Sequence, residues 1–177
     1  MKPFLIAVVT ALLSLPALAQ EDGLMALPGY IDFNELTSVY GEPKVNIAIG
    51  GTLLNFVGVM AAKEDPEIGP VFSQLKGVRV STYATNGNAA TAIDELTSVK
   101  SALQSANWVP VVQVNDEGEH VQIFMKLNGE LIDGLVLMAV DSEEAVFINV
   151  LGNIDPMQLS QVMENFDVDI DPGINLE

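Results

Sequence analysis

Two stretches joined by a tight turn decide the fold of this chain: HVQIFMKL from His120 to Leu127, and LIDGLVLMAV from Leu131 to Val140. Apolar and polar residues alternate in the first, as in a half-buried strand. Asn128-Gly129 between them is typical of a β-hairpin turn. The second is almost entirely apolar, which indicates a strand inside a sheet, covered on both faces at least in part. We therefore predict an antiparallel hairpin at this point.

Four more strands flank this hairpin in sequence, each bounded by turn residues. Pro110 lies in one of them and cannot donate a backbone hydrogen bond, so that strand is expected at a sheet edge or at its own start. The predicted strands are Lys44–Ile49, Val78–Tyr83, Val109–Val114 and Ala145–Leu151.

Helices are predicted where apolar residues recur every three or four positions. The first two follow Gly51, the second with Asp65 as N-cap and Gly77 at its end. A long helix carries Ile93 to Ala106, and Asp155-Pro156 opens a closing helix. Ile31–Leu36 remains open between a short helix and an extended arm. The sequence thus predicts an α+β fold, with an antiparallel-rich sheet of about six strands and helices packed mainly on one face.

The amino terminus has the pattern of a secretory signal. Lys2 precedes the apolar run Phe4–Leu13, and Ala17-Leu18-Ala19 matches an Ala-x-Ala cleavage site. The run is shorter than the roughly 20 residues of a membrane-spanning helix. No cysteine is present at the cleavage region for a lipid anchor. We expect export to the periplasm, with the extracellular space as the alternative, and no integral membrane segment after cleavage.

The same reading divides the chain into four parts. Residues 1–19 are the cleavable signal peptide and 20–30 a flexible N-terminal segment. Residues 31–166 form a single α+β domain, and 167–177 an acidic C-terminal tail. About 100 to 200 residues is the usual span of one domain, so no second domain is needed.

Charge and composition exclude several functions. The chain has 24 acidic and 7 basic residues and a net charge of -17, so it repels nucleic acid and anionic membranes. It contains no cysteine, which excludes disulfides and thiol chemistry. With His120 as its one histidine, it cannot build a multi-histidine zinc centre alone.

Two motifs resemble ligand sites but fail on inspection. The tail from Asp167 to Gly173 spaces its aspartates like a calcium loop. However, Pro172 stands where the loop needs glycine, and the chain ends before a glutamate could follow at position 12. Gly50-Gly51-Thr52 lacks the Lys-Ser/Thr ending of a phosphate loop. We interpret these motifs as a solvated tail and a tight strand-to-helix turn.

The remaining candidates also favour structural roles. His120 is expected to be a partly exposed strand residue sharing a face with Gln122 and Lys126, rather than a catalytic base. Arg79 is expected in a cross-strand ion pair rather than as a carboxylate clamp. The acid pairs Glu64-Asp65 and Glu143-Glu144 fall at turns or caps, and Trp108 in the core. No catalytic, cofactor-binding or metal-binding residue is assigned, and no enzyme activity is expected.

Several strand and turn motifs occur together in this chain, namely Val45–Ile49, Leu75–Val80, Trp108 leading into a strand, Val121–Lys126 and Glu144–Gly152. In this succession they resemble domain-of-unknown-function family 4252. The likeness covers roughly Tyr30 to Phe166. It implies a small exported bacterial protein, often a lipoprotein, sometimes encoded near an extracytoplasmic sigma factor and its antagonist. The family supplies no catalytic residues, and the lipobox cysteine is missing here.

Three functions remain open at this point. The favoured one is a non-catalytic binding or interaction module of the cell envelope, whose partner is an unknown envelope protein or a small ligand. The first alternative, an accessory of a sigma/anti-sigma stress pathway, follows from the resemblance alone. The second, a carboxylate-based hydrolase, requires a pocket holding two acids of separated pKa.

Overall fold

A six-stranded antiparallel sheet organises the chain. The computed structural model describes residues 23–33, 36–66, 68–87, 89–116 and 118–157. The strands lie in the order β1-β2-β6-β5-β4-β3, and all neighbouring pairs are antiparallel. This confirms the α+β class and the expected number of strands. The strands are β1 (Val45–Gly50), β2 (Leu75–Ala84), β3 (Trp108–Asp116), β4 (Glu119–Asn128), β5 (Leu131–Val140) and β6 (Glu144–Ile154).

The helices lie in the first part of the chain, before the four strands β3 to β6 that follow one another as hairpins. α2 and α3 form a helical hairpin between β1 and β2, and α4 leads from β2 to β3 at the far edge of the sheet. The helices are α1 (Thr37–Tyr40), α2 (Gly51–Ala61), α3 (Ile68–Gln74) and α4 (Ala89–Ser105).

Two predicted helices differ from the structure or extend beyond it. α3 ends at Gln74 rather than at Gly77, because Leu75 already pairs with Gly152 in the sheet. The closing helix begins where predicted, and the backbone N–H of Met157 donates to Asp155 Oδ1 at 2.9 Å. Its continuation, the tail 167–177 and the signal segment 1–19 lie outside the described residues.

One face of the sheet carries the core, and we call it the covered face. α4 packs on it through Leu96 and Leu103, as the helix periodicity predicted. Aromatic rings pack beside them: the Tyr83 and Phe147 centroids lie 6.0 Å apart, and Tyr40 lies within 5.9 Å of both. The buried side chains that this face contributes include Arg79, Tyr83, Trp108, Phe124, Val136, Met138, Phe147 and Asn149.

Residues 24–33 cross the covered face as an N-terminal arm. The sequence placed residues 20–30 outside the domain, yet Leu24 is buried against the position of Gly77. A Cβ built on Gly134 would lie only 2.8 Å from Gly29 Cα. The arm and β5 therefore touch backbone to backbone, and glycine is required on both sides of the contact.

Two buried polar side chains hold this arm. The Asn149 amide donates to Gly29 O at 3.0 Å and to Leu135 O at 3.2 Å, and its Oδ1 accepts from Ile31 N at 3.0 Å. Arg79 donates to Ile31 O at 2.6 Å, and its guanidinium lies 4.6 Å from the centre of the Tyr30 ring. Side chains of the neighbouring strands β2 and β6 therefore hydrogen-bond directly to the backbone of the arm.

We predict that Asn149→Ala lowers the free energy of unfolding by about 3 kcal/mol, because three backbone groups, at least partly buried, each lose a partner worth about 1 kcal/mol. Asn153→Ala is the matched control: Asn153 is exposed on the same strand, and its loss is expected to change stability by less than about 1 kcal/mol. Urea denaturation of both variants measures the difference. Equal effects would contradict the anchoring role of Asn149.

Tyr40 provides a prediction for alkaline pH. Its hydroxyl donates to Ala92 O at 3.0 Å. Burial, and then the nearby Glu95 and Tyr83, raise the pKa of Tyr40 well above its ordinary value of 10.0. The folded state thus retains a proton that the unfolded state releases. This stabilisation is complete below pH 10 and is lost as the pH rises further.

Tyr40→Phe is therefore expected to lose less stability than the wild-type protein between pH 9 and pH 11. Denaturation at several pH values checks this, with the difference between the two proteins at pH 7 as the baseline. Parallel stability curves would show that Tyr40 does not contribute to the alkaline loss.

Candidate functional site

The second face of the sheet carries three rows of apolar side chains, each row crossing all six strands. We call these 18 residues, three rows of six, the open face. One row is Val45, Thr82, Val146, Ala139, Val121 and Val114. The central row is Ile47, Val80, Ile148, Leu137, Ile123 and Val112. The third is Ile49, Val78, Val150, Leu135, Met125 and Val109.

No residue of the open face is buried. Val114 and Val109 on one edge strand are 48% and 42% exposed, and Val45 and Ile47 on the other are 40% and 39% exposed. The remaining members are half-buried, shielded in part by their neighbours in the sheet. On the inner strands β2, β5 and β6, positions that point to the covered face differ sharply from the open face: Phe147 on β6 is 0% exposed. The described helices therefore leave the open face accessible.

The open face contains no charged side chain, and Thr82 is its only polar member. Strands about 4.8 Å apart and rows about 6.8 Å apart give a footprint on the order of 500 Å². This is near the upper end of the largest apolar patch on an ordinary soluble monomer, and patches of that size often serve binding. Acidic residues lie beyond it at the strand ends, namely Asp116, Glu119 and Glu144.

The polar residues of the strands explain why this face is the open one. Ser81, Gln122 and Asn149 all point to the covered face, where each is less than one tenth exposed. An antiparallel sheet with one solvated face usually turns its polar side chains toward water. Here the arm supplies backbone partners for the buried polar groups of Asn149 and Arg79. The apolar side chains of the same strands consequently face outward.

This arrangement corrects one expectation for β4. The side bearing His120 and Gln122 was expected to be the more solvated one, but Gln122 is 6% exposed and lies on the covered face. Val121 and Ile123 lie on the open side. His120 is half-buried at the strand end, as predicted, and its Nδ1 lies 2.8 Å from Asn115 Oδ1.

The other sequence candidates have structural roles. Arg79 lies directly across from Ala48 and Asn149 on the neighbouring strands, and its guanidinium donates to Ile31 O on the N-terminal arm. Trp108 is buried, 4% exposed. β1 ends at Gly50 and α2 begins at Gly51 without a loop, which confirms the tight turn.

Both acid pairs also lie at turns, as predicted. Asp141 Oδ1 accepts from the backbone N–H groups of Glu143 and Glu144 at 2.6 and 2.8 Å. These hydrogen bonds, Glu144 first, lower the pKa of Asp141. The arrangement stabilises the β5–β6 hairpin, and Glu64-Asp65 follows the end of α2.

A small polar cleft of about 300 Å³ opens beside the aromatic cluster. Its lining includes Tyr40, Asn86 and Thr85, whose buried Oγ1 has no hydrogen-bond partner. The raised pKa of Tyr40 keeps its hydroxyl protonated. The lining offers hydroxyl and amide groups but neither a carboxylate nor a base, so it does not supply the two acids that a carboxylate hydrolase requires.

The described part of the chain contains neither a cluster of potential metal ligands nor a helix able to span a membrane. No three His, Asp or Glu residues come together there as a metal site. None of its helices has the length and apolarity needed to cross a bilayer. The aspartates of the tail lie outside the described residues.

Sequence patterns alone did not reveal the open face. Alternation showed that Val45, Ile47 and Ile49 share one side of a strand, but not which side the helices cover. A useful signal was available in the lengths of the predicted helices, since only the helix from Ile93 to Ala106 is long, and one long helix is too narrow to cover both faces of six strands. The register between neighbouring strands, which the sequence does not give, then aligns these residues into the three rows of the open face.

A comparison with curated proteins gave no match. A family model described as Domain of unknown function (DUF4252) matches residues 40–162. This range includes all six strands and the open face, while the arm precedes it. Because the match covers more than half of the 177 residues, the chain belongs to the DUF4252 family.

Proposed function

We propose that this chain is an exported, non-catalytic interaction module of the cell envelope that binds an apolar protein surface through the open face. The observation that carries the proposal is the uninterrupted set of three apolar rows, none of them buried. Their side chains offer no acid or base, and Thr82 is the sole hydroxyl among them. Such a surface gains free energy when it is buried against a partner, and it has no acidic or basic group for catalysis.

The shape of the face favours a protein over a small ligand. Small molecules are usually held in concave pockets that bury most of their surface. The open face belongs to a sheet whose two edge strands, β1 and β3, lie at its ends, so it is broad rather than enclosed. A protein partner with its own flat apolar surface would fit it.

The charge of the chain restricts the partner further. At a net charge of -17, the chain is repelled by anionic lipid and by nucleic acid. The uncharged open face itself attracts no ion. Burial of apolar surface therefore provides the affinity. The carboxylates at the strand ends repel other proteins that are acidic around their apolar surface.

The proposal predicts that substituting the open face abolishes partner binding. Val114→Asp and Ile47→Asp place a charge on exposed positions of opposite edge strands, where folding is expected to tolerate it. Phe56→Asp on α2 is the matched control, because Phe56 is 63% exposed and lies outside the open face. Tagged variants are cross-linked in the intact envelope, purified and analysed by mass spectrometry.

We expect the wild type and Phe56→Asp to retain the same protein, and both open-face variants to lose at least nine tenths of it. Circular dichroism verifies that all four proteins are folded. Equal retention by all variants would contradict the proposed binding surface. Loss with Phe56→Asp alone would move the site to α2.

Export provides a separate prediction. The chain purified from the envelope fraction is expected to begin at Gln20, because cleavage follows Ala19. Ala19→Arg places a large charged residue at the cleavage position and should leave the longer precursor. Intact-mass measurement distinguishes the two. A wild-type chain that retains Met1 would contradict cleavage.

A further inference from the structure

The open face has the composition of a protein core cut in half. Its members are aliphatic or Met apart from Thr82, and the buried aromatic side chains lie on the other side of the sheet, including Tyr83, Trp108 and Phe147. Interfaces between proteins that associate and separate are enriched in Tyr, Trp and Arg. Interfaces between permanently associated identical subunits are more apolar and resemble a domain interior. The open face is of this second type.

The size of the open face reaches the lower limit for a specific interface. Two faces with footprints on the order of 500 Å² cover about 1,000 Å² together, which is the smallest area expected of a biological interface, and the residues around the three rows of six add to it. A substantially smaller contact would be typical of crystal packing or of a transient encounter. Covering this face thus requires a surface as broad as the sheet itself.

A second copy offers such a surface. Twisted antiparallel sheets pack face to face about 10 Å apart, with strand directions within about 30° of each other. In two identical faces related by a two-fold axis, Val, Ile and Leu rows can interdigitate as in a β-sandwich. The centre of each face lies between β6 and β5, at Ile148 and Leu137 of the central row.

We propose that the partner of the open face is a second copy of this chain, and that two sheets stack through it with the helices on the outside. This inference rests on the proposed function and names its partner. The result is a four-layered dimer in which each α4 faces solvent on its outer side.

Charge distinguishes this dimer from a complex with an oppositely charged protein. The full chain has a net charge of -17, and loss of Lys2 with residues 1–19 makes each mature copy one unit more negative, so two copies repel each other while their apolar rows attract. Salt screens that repulsion, since the Debye length falls from about 30 Å at 0.01 M to about 3 Å at 1 M. Dimerisation should therefore tighten as salt is added, whereas binding of a cationic partner would weaken.

Sedimentation equilibrium of the chain from Gln20 to Glu177 tests the proposal. We expect twice the monomer mass, and a dissociation constant that falls at least threefold between 0.05 and 0.5 M NaCl. Val114→Asp and Ile47→Asp should each raise that constant at least tenfold. Phe56→Asp, which leaves the open face intact, should leave it within twofold.

Cross-linking provides a second measurement that does not depend on weakening the fold. The chain contains no cysteine, so a single introduced thiol is the only reactive one. Ile148→Cys, near the centre of the open face, should form a covalent dimer with a bis-maleimide of about 10 Å reach. Ser101→Cys, exposed on α4, should not.

The alternatives give distinct results. A wild-type monomer at every salt concentration overturns the dimer. If its open-face variants nevertheless lose an envelope protein, the proposed function stands with a different partner. Val162 is an apolar residue of the predicted closing helix. A monomer that becomes a dimer on Val162→Asp would assign the face to the chain's own C-terminal residues, and would overturn the dimer as the native state. Cross-linking through Ser101→Cys alone would place the contact on the helices.

Discussion

The hydrogen bonds from Asn149 and Arg79 to the backbone of the N-terminal arm are the interaction on which the rest of the structure depends. Both side chains are 2% exposed or less and sit on adjacent central strands. They hold the backbone of Gly29 and Ile31 by hydrogen bonds. A buried amide and a buried guanidinium would be strongly destabilising without such partners. The arm must therefore lie on their side of the sheet.

The identity of the covered face follows from this constraint. Once the arm and α4 occupy it, the described helices leave the other face accessible. Buried and half-buried positions alternate along β6 from Ala145 to Leu151, so turning Asn149 inward turns Ile148 and Val150 outward on the same strand. The open face is thus the geometric consequence of polar residues placed inside, and not merely a surplus of apolar ones.

The two edges of the sheet are not equivalent. β3 carries Pro110 and a register shift between Pro110 and Val112, which disfavour further strand pairing at that edge. β1 has neither within Val45–Gly50. Because both edges also contribute exposed valine or isoleucine to the open face, broad contact across the face buries apolar surface from all six strands, whereas pairing at one edge would bury little of it.

The sequence by itself determined the α+β class, the six strands, the hairpin turns and the long helix, because each depends on local periodicity and turn chemistry. It also indicated that Trp108 is core and that the strand with Pro110 lies at a sheet edge or has Pro110 at its start. Only the tertiary structure decided that Gln122 points inward and Val121 outward, and that residues 24–30 join the fold. Period-two alternation gives two faces but not their environment. That is set by long-range partners such as Gly29 and Asn149, which are 120 residues apart in the chain.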